Sequence, residues 1–266
     1  MSLTNFRNYE QLELDLNPGI SLIHGKNGHG KSNLIEALYL LSISKSHRVS
    51  SERELIRHRS ITHNASTHVT GTVEDSNRSF RIQINLMKDT IIPVHELKPV
   101  TDIAKLIRVH KQINVNGVPR TASDLVGEIT TVMFGAHDLE IVVGSPTIRR
   151  RYLDILISQI DRIYLKTLKR YQRVLSQRNH LLKNIRDGRA KIADLDFWDA
   201  ELTSSGKQIM YKRADAINKI SQLATRIYND LSDGNEVFTM LYVPSGGIIH
   251  HASENERQDP RYERNH

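Results

Sequence analysis

Gly25-Lys26-Asn27-Gly28-His29-Gly30-Lys31-Ser32 is the stretch on which the reading of this chain turns. Its spacing is G-x-x-x-x-G-K-S, that of a phosphate-binding loop. The glycines let the backbone turn tightly and bring N–H groups against phosphate oxygens with no Cβ in the way. Lys31 can place an ammonium on the β- and γ-phosphates of a nucleotide, and the Ser32 hydroxyl can ligate Mg2+. The flanks suit the motif. Ile20-Ser21-Leu22-Ile23 has the apolar run of a short buried strand. From Ser32 to about Ser42, Leu34, Ile35, Ala37, Leu38, Leu40 and Leu41 suit a packed helix. Strand, glycine loop and helix in that order put the positive end of a helix dipole under the phosphates. An ordinary glycine-rich turn would explain the glycines but not these flanks.

Composition narrows the remainder. The chain has 266 residues, enough for one large domain or two ordinary ones. It has no cysteine, which excludes disulfides, thiolate catalysis and cysteine-ligated zinc, and fits a reducing compartment. The start, Met1-Ser2-Leu3-Thr4-Asn5-Phe6-Arg7, has no apolar secretory core. No run approaches the roughly 20 apolar residues that span a bilayer, and Glu36 interrupts the helix after the loop. A cytoplasmic protein without a membrane partner is expected. The formal net charge of +7 favours polyanionic partners, although a merely solvated basic face would give the same number. The 13 histidines are scattered and lack metal-ligand spacing.

Before the loop, Leu12, Leu14 and Leu16 alternate with Glu13 and Asp15, the period of a half-buried strand, and Pro18-Gly19 turns the chain. Val69 to Val73 and Phe80 to Leu86 read as strands joined by a polar turn. Leu106 to Val109 and Gln112 to Val115 read as a further pair, followed by an Asn116-Gly117 turn, and Thr130 to Phe134 as one more strand. Residues 1–144 therefore read as a nucleotide-binding α/β lobe.

The pattern changes at Gly144-Ser145-Pro146, where serine can cap a helix and proline suits its first turn. Apolar residues at steps of three and four then carry one long amphipathic helix to Gly188, and a second runs from about Leu195 to Leu231. Residues 145–233 are thus a helical arm. Between Ile155 and Ala193 stand ten Lys or Arg against two Asp. On a helix Arg162, Lys166, Lys169 and Arg173 fall within about 60° of one another, with His180 on the same face. That face is a candidate DNA contact; the bland alternative is a solvated stripe. Residues 234–266 read as a returning strand, Val237 to Val243, and an incomplete polar tail.

With these features in hand, the chain resembles the RecF family of ABC-type ATPases, related to the structural-maintenance-of-chromosomes proteins. Three segments carry the resemblance: Leu3-Thr4-Asn5-Phe6-Arg7-Asn8-Tyr9 with the loop and Ser32-Asn33-Leu34-Ile35-Glu36-Ala37; Ser46-His47-Arg48; and Gly144-Ser145-Pro146 with Arg149-Arg150-Arg151-Tyr152-Leu153-Asp154. The resemblance implies an ABC-type P-loop lobe with an antiparallel β subdomain, followed by a helical arm. It implies ATP with Mg2+ and an ATP-dependent homodimer. It also implies loading onto DNA at junctions of single strand and duplex, and work with recombination mediator proteins in replication and damage repair, including the SOS response. Gly135-Ala136-His137-Asp138 departs from the family, which usually has a proline before the acidic residue.

Hydrolysis in such ATPases also needs a carboxylate ending an apolar strand, the Walker B element, and a signature motif from a facing subunit. Neither is found, so no catalytic residue is assigned. Thr131-Val132-Met133-Phe134 leads toward Asp138 at the wrong offset, and Ser245-Gly246-Gly247 lacks the polar helix start of a signature. The expectation is an N-terminal portion of a RecF-like protein, with sheet edges and apolar faces left uncovered. The competing reading is a module that binds ATP or DNA without turnover. A small-molecule kinase would share the loop but not the long basic hairpin. The cluster Arg149, Arg150 and Arg151 is expected to be structural or interdomain, because Tyr152 and Leu153 follow at core-like positions.

Overall fold

The computed structural model describes residues 1–57, 65–75, 78–90 and 107–244. Two compact units, Met1–His137 and Asp138–His266, divide the chain. In the first, β1 (Ser2–Phe6) and β2 (Tyr9–Glu13) form a hairpin, and the loop runs into α1 (Lys31–Ile43). Then come β3 (Ser66–Asp75), β4 (Arg78–Thr90), β5 (Ile107–Val115), β6 (Val118–Arg120) and the single turn α2 (Ala122–Leu125). The strands make one antiparallel sheet in the order β2-β1-β3-β4-β5-β6.

Alternation decides which face of that sheet is the core. On β4, Phe80, Ile82, Ile84 and Leu86 are buried while Arg81 and Met87 face solvent. The register aligns Leu3 with Val69 and Val69 with Ile84, so one apolar row crosses three strands. Leu34, Ala37, Leu40 and Leu41 of α1 join this row in a single core. Each fully buried leucine or isoleucine contributes roughly 1.5–3 kcal/mol. Gly71 on β3 lets the helix approach, since a Cβ there would lie 2.7 Å from Leu41 Cδ1.

Four strand expectations change in this first unit. Ile20 to Ile23 is no strand: Ile20 and Leu22 stand exposed, and no described strand lies alongside to take the backbone hydrogen bonds. Leucine alternation carries β2 only to Glu13, and Leu16 is exposed. The expected pair at 106–115 is one continuous strand, β5, because its backbone pairs with β4 from Ile107 to Val115; Leu106 lies outside the described residues. Asn116-Gly117 does turn it, into β6. Thr130 to Phe134 is irregular, with Val132 and Phe134 exposed and no strand beside them among the described residues.

The second unit opens with the single turn α3 (Glu140–Val143), then α4 (Pro146–Ile160), α5 (Arg162–Arg186) and α6 (Asp196–Leu231). Ser145 precedes α4 without a side-chain capping bond, and Pro146 occupies its first turn. The expected single helix to Gly188 is broken at Asp161. That residue leaves helical geometry, and its carboxylate accepts from Tyr164 N at 2.9 Å, capping α5. Leu153, Ile157, Tyr164, Leu168, Ile209 and Ile217 form the core of this unit. Val237 to Val243 forms no strand; Met240 and Tyr242 pack on this core, and Met240 N donates to Ser221 Oγ at 3.2 Å. Residues 245–266, with Ser245-Gly246-Gly247, lie outside the described residues.

One ion pair ties the three helices. Arg213 on α6 grips Asp154 on α4, Nη2 lying 2.7 and 3.0 Å from the two carboxylate oxygens. The Tyr164 hydroxyl on α5 donates to the same carboxylate and accepts from Arg213 Nε at 3.1 Å. Burial and the neighbouring carboxylate push the Tyr164 phenol well above its ordinary range, so it stays protonated and donating. Removing one partner strands a buried charge. Asp154→Ala is expected to destabilise this unit by roughly 2–4 kcal/mol. Urea unfolding followed through Trp198, the only tryptophan and a residue of α6, should show a lower midpoint. An unchanged midpoint would remove this tie from the account.

Candidate nucleotide-binding site

The geometry of the loop follows from its glycines. Gly28 has φ 80° and Gly30 φ 101°, a region in which a side chain is strained. Gly30 is the N-cap of α1, and its carbonyl accepts from Asn33 N at 2.8 Å and Leu34 N at 3.0 Å. A Cβ on Gly30 would meet the Tyr9 hydroxyl at 2.8 Å and both Asn8 side-chain polar atoms at 2.9 Å. The hairpin turn therefore presses on the last loop glycine. Lys31 Nζ curls back to donate to Gly25 O at 2.7 Å and Lys26 O at 2.8 Å. The ammonium thus lies inside the loop at the positive end of α1, where anions are favoured. Ser32, one residue on, is exposed. Gly25, Lys26, Asn27, Gly28 and His29 are also exposed, whereas Gly30 is buried.

Sequence reading missed the group that fixes this loop to its surroundings. Glu36 is fully buried on α1. Arg7 donates to it twice, Nη2 at 2.7 Å and Nε at 2.9 Å. The Ser46 hydroxyl donates to it as well, and Arg48 lies 3.5 Å away. Asn33 joins both sides, donating to Asn8 Oδ1 at 2.8 Å and accepting from Arg48 Nη1 at 2.7 Å. Burial alone would raise the Glu36 carboxyl, but the hydrogen bonds from Arg7 and Ser46 and the charges of Arg7 and Arg48 hold it below the usual carboxylate range. The available signal is a lone acid at position 36, one helical turn from Leu40 on the apolar side of α1.

On the arm, Arg162, Lys166, Lys169 and Arg173 do share one exposed face of α5, away from buried Tyr164, Leu168 and Val174. The arm sorts its cations. Arg170 pairs with Glu201 at 2.5 Å and Arg178 with Asp199, both across to α6. Lys166, Lys169 and Arg173 have no ion pair among the described residues. The stripe continues into a shallow cleft bordered by Gln172, Ser176, Asn179, His180 and Lys183. Arg149 takes a structural place, donating to the carbonyls of Ile141, Val142 and Gly144 at 3.0–3.3 Å. Tyr152 is more exposed than its position implied, while Leu153 is buried. Among the described residues no cluster of three His, Asp or Glu could hold a metal, and no helix is long and apolar enough to cross a membrane.

Residues 1–137 match the family model for the RecF/RecN/SMC N-terminal domain. The chain belongs to that family. Relatives named DNA replication and repair protein RecF include one from Herpetosiphon aurantiacus, 40% identical over 245 residues, covering 91% of this chain and 63% of the relative. Another, from Bacillus mycoides, is 36% identical over 247 residues, covering 92% and 60%. A solved structure of the recombination mediator protein RecF with ATP, from the RecFOR pathway, aligns at TM-score 0.79 and 31% identity, over 96% of this chain and 62% of that one. Its counterpart named RecF-ATPrS aligns at 0.77 and 30%, over 94% and 62%. This chain therefore spans about three-fifths of the length of these RecF proteins. The mixed α/β fold expected from the family, an ABC-type lobe with an antiparallel sheet and helices, is the fold observed.

The Glu36 cluster has a sign that can be tested. Its folded pKa lies below the reference of 4.5, so its contribution is complete above that pH and is lost as pH falls through the folded value. Glu36→Gln is expected to lower stability near neutrality by roughly 1–3 kcal/mol. That deficit should start to shrink as pH drops below 4.5 and close only below the lower folded pKa, where Glu36 in the folded wild type itself becomes neutral. Thermal midpoints of both proteins between neutrality and acid check this. A deficit of constant size would show that the charge on Glu36 is not what matters.

Proposed function

We propose that this chain is the ATP- and DNA-binding part of a RecF-type protein of recombinational DNA repair and replication. ATP binds with its phosphates against the backbone of Gly25 to Ser32. Lys31 neutralises the β/γ-phosphates, and the Ser32 hydroxyl supplies the protein ligand to Mg2+. The observation that carries this reading is Lys31 Nζ held 2.7 and 2.8 Å from the Gly25 and Lys26 carbonyls, inside a left-handed glycine loop that starts a buried helix. Mg2+ demands six oxygens and usually keeps several waters, so one hydroxyl plus phosphate oxygens suits it. Similarity to solved structures named RecF-ATP and RecF-ATPrS supports the choice of nucleotide.

The exposed cations Arg162, Lys166, Lys169 and Arg173 contact DNA phosphates, and the protein loads at junctions of single strand and duplex. As a dimer closed around ATP, and with recombination mediator proteins, it helps place a recombinase on single-stranded DNA. These roles extend to the chain from the RecF proteins it resembles. A second reading is a module that binds ATP and DNA without hydrolysis. It rests on the sequence reading, in which no apolar strand ends in a Walker B carboxylate and no signature motif is found. Steady-state phosphate release with and without DNA separates the two, since only the ATPase reading predicts turnover stimulated by DNA.

Two binding experiments test the sites. Lys31→Ala is expected to abolish ATP affinity measured by equilibrium titration with Mg2+; unchanged binding would sink the loop assignment. For DNA, contact with about five phosphates gives a slope of log affinity on log salt near −4 to −5. Replacing Lys166 and Lys169 by Ala should make that slope shallower by about 2. A slope that these changes leave untouched would move the DNA contact off this face.

A further inference from the structure

We infer that Glu36 is a positioning residue for the nucleotide site, setting the affinity of the loop through Arg48; this rests on the reading of Gly25 to Ser32 as an ATP site. A buried carboxylate costs several kcal/mol to desolvate, and a well-packed apolar side chain would usually fill such a position at no loss of stability. Arg7, with two hydrogen bonds, already supplies Glu36 with a charge partner. What the carboxylate adds beyond that pair is the course of the chain after α1. The Ser46 hydroxyl donates to Glu36 and accepts from Arg48 N at 2.9 Å and Val49 N at 3.2 Å. The peptides on either side of Arg48 thus hang from Ser46, and Ser46 hangs from Glu36.

The consequence falls on the Arg48 guanidinium. It is held by Asn33, the residue after Ser32, at 2.7 Å, and its side chain remains 37% exposed while Glu36 is 0% exposed. A cation in the first turn of a helix opposes the helix dipole, and Lys31 brings a second positive charge to the same turn. Such a placement is unfavourable for the protein alone except for the pull of Glu36. It becomes favourable when an anion lies over the helix start, because guanidinium groups match phosphate oxygens well. The remaining N–H groups of Arg48 are suited to the phosphates that Lys31 also meets. Glu36 sets that geometry from one turn below without touching the ligand.

The test is a double-mutant cycle on the full 266-residue chain, reading ATP affinity in Mg2+ and thermal midpoint for each protein. Glu36→Gln is expected to weaken ATP binding about tenfold in the wild-type background and by less than about twofold in an Arg48→Ala background. The thermal midpoint should fall by a similar amount in both. A tenfold loss that persists without Arg48 would overturn the inference, since Glu36 would then act through the core alone. Ser46→Ala keeps the Glu36–Arg7 pair and should also weaken ATP binding; unchanged affinity there overturns the inference even if Glu36→Gln fails to fold. Lys31→Ala separates the two levels. If it abolishes binding while Glu36→Gln leaves affinity unchanged, only the positioning role falls. If ATP affinity is indifferent to Lys31, the loop reading and this inference fall together.

Discussion

The organisation of the N-terminal unit depends on one buried negative charge. Glu36 lies on the side of α1 that faces the core, where an unpaired carboxylate would cost more than most single core contacts contribute. It is tolerated because three chain segments converge on it: the hairpin turn through Arg7, α1 itself, and the segment after α1 through Ser46 and Arg48. Hydrophobic burial under the sheet is largely indifferent to a small sliding of α1, whereas these hydrogen bonds are not. The polar cluster therefore sets where the helix start, and with it the loop, must lie. The turn that supplies Arg7 also supplies Asn8 and Tyr9, which crowd Gly30. A single network thus places the last loop glycine, the first turn of the helix and two arginines.

The helical unit solves a similar problem with different parts. Asp154, Tyr164 and Arg213 come from three helices and leave little freedom of register among them. Around that tie, the cations of α5 divide by geometry rather than by composition. Arg170 and Arg178 are paired with Glu201 and Asp199 of α6, whereas Lys166, Lys169 and Arg173 keep their charge toward solvent. A charge count over the segment treats both sets alike. Only the position of each residue around the helix, and the acids on its neighbour, separate structural cations from ones open to a polyanion.

Much of this was legible in the sequence, and the failures share a cause. The loop was readable because its chemistry lies within eight consecutive residues. The amphipathic helices were readable because their period is local, and β3 and β4 because their alternation is strict. What escaped depends on partners distant in the chain. Glu36 meets Arg7 across 29 positions, and Asp154 meets Arg213 across 59. Ile20 to Ile23 has strand composition, but a strand exists only where a neighbour takes its hydrogen bonds. The break between α4 and α5 had a local sign, Asp161 as a cap, yet the apolar steps across it continue almost unbroken and favoured one helix.

The same cluster bears on what the loop can do chemically. Binding a triphosphate asks for backbone N–H groups, a helix start and a lysine, and residues 25–32 supply them. Transfer of the terminal phosphoryl group asks in addition for a group that orients the attacking water and for charge facing the loop. Glu36 is the acid on α1, but it is unsuited to that work. It is buried, held ionised by Arg7 and Arg48, and both its oxygens already accept hydrogen bonds. A carboxylate so engaged cannot also accept a proton from water without breaking the contacts that place the helix. It acts on the loop by position, not by chemistry. In the proposed ATP-binding role, affinity for nucleotide and capacity for turnover are therefore separable, the first resting on α1 and its loop and the second requiring a carboxylate other than Glu36.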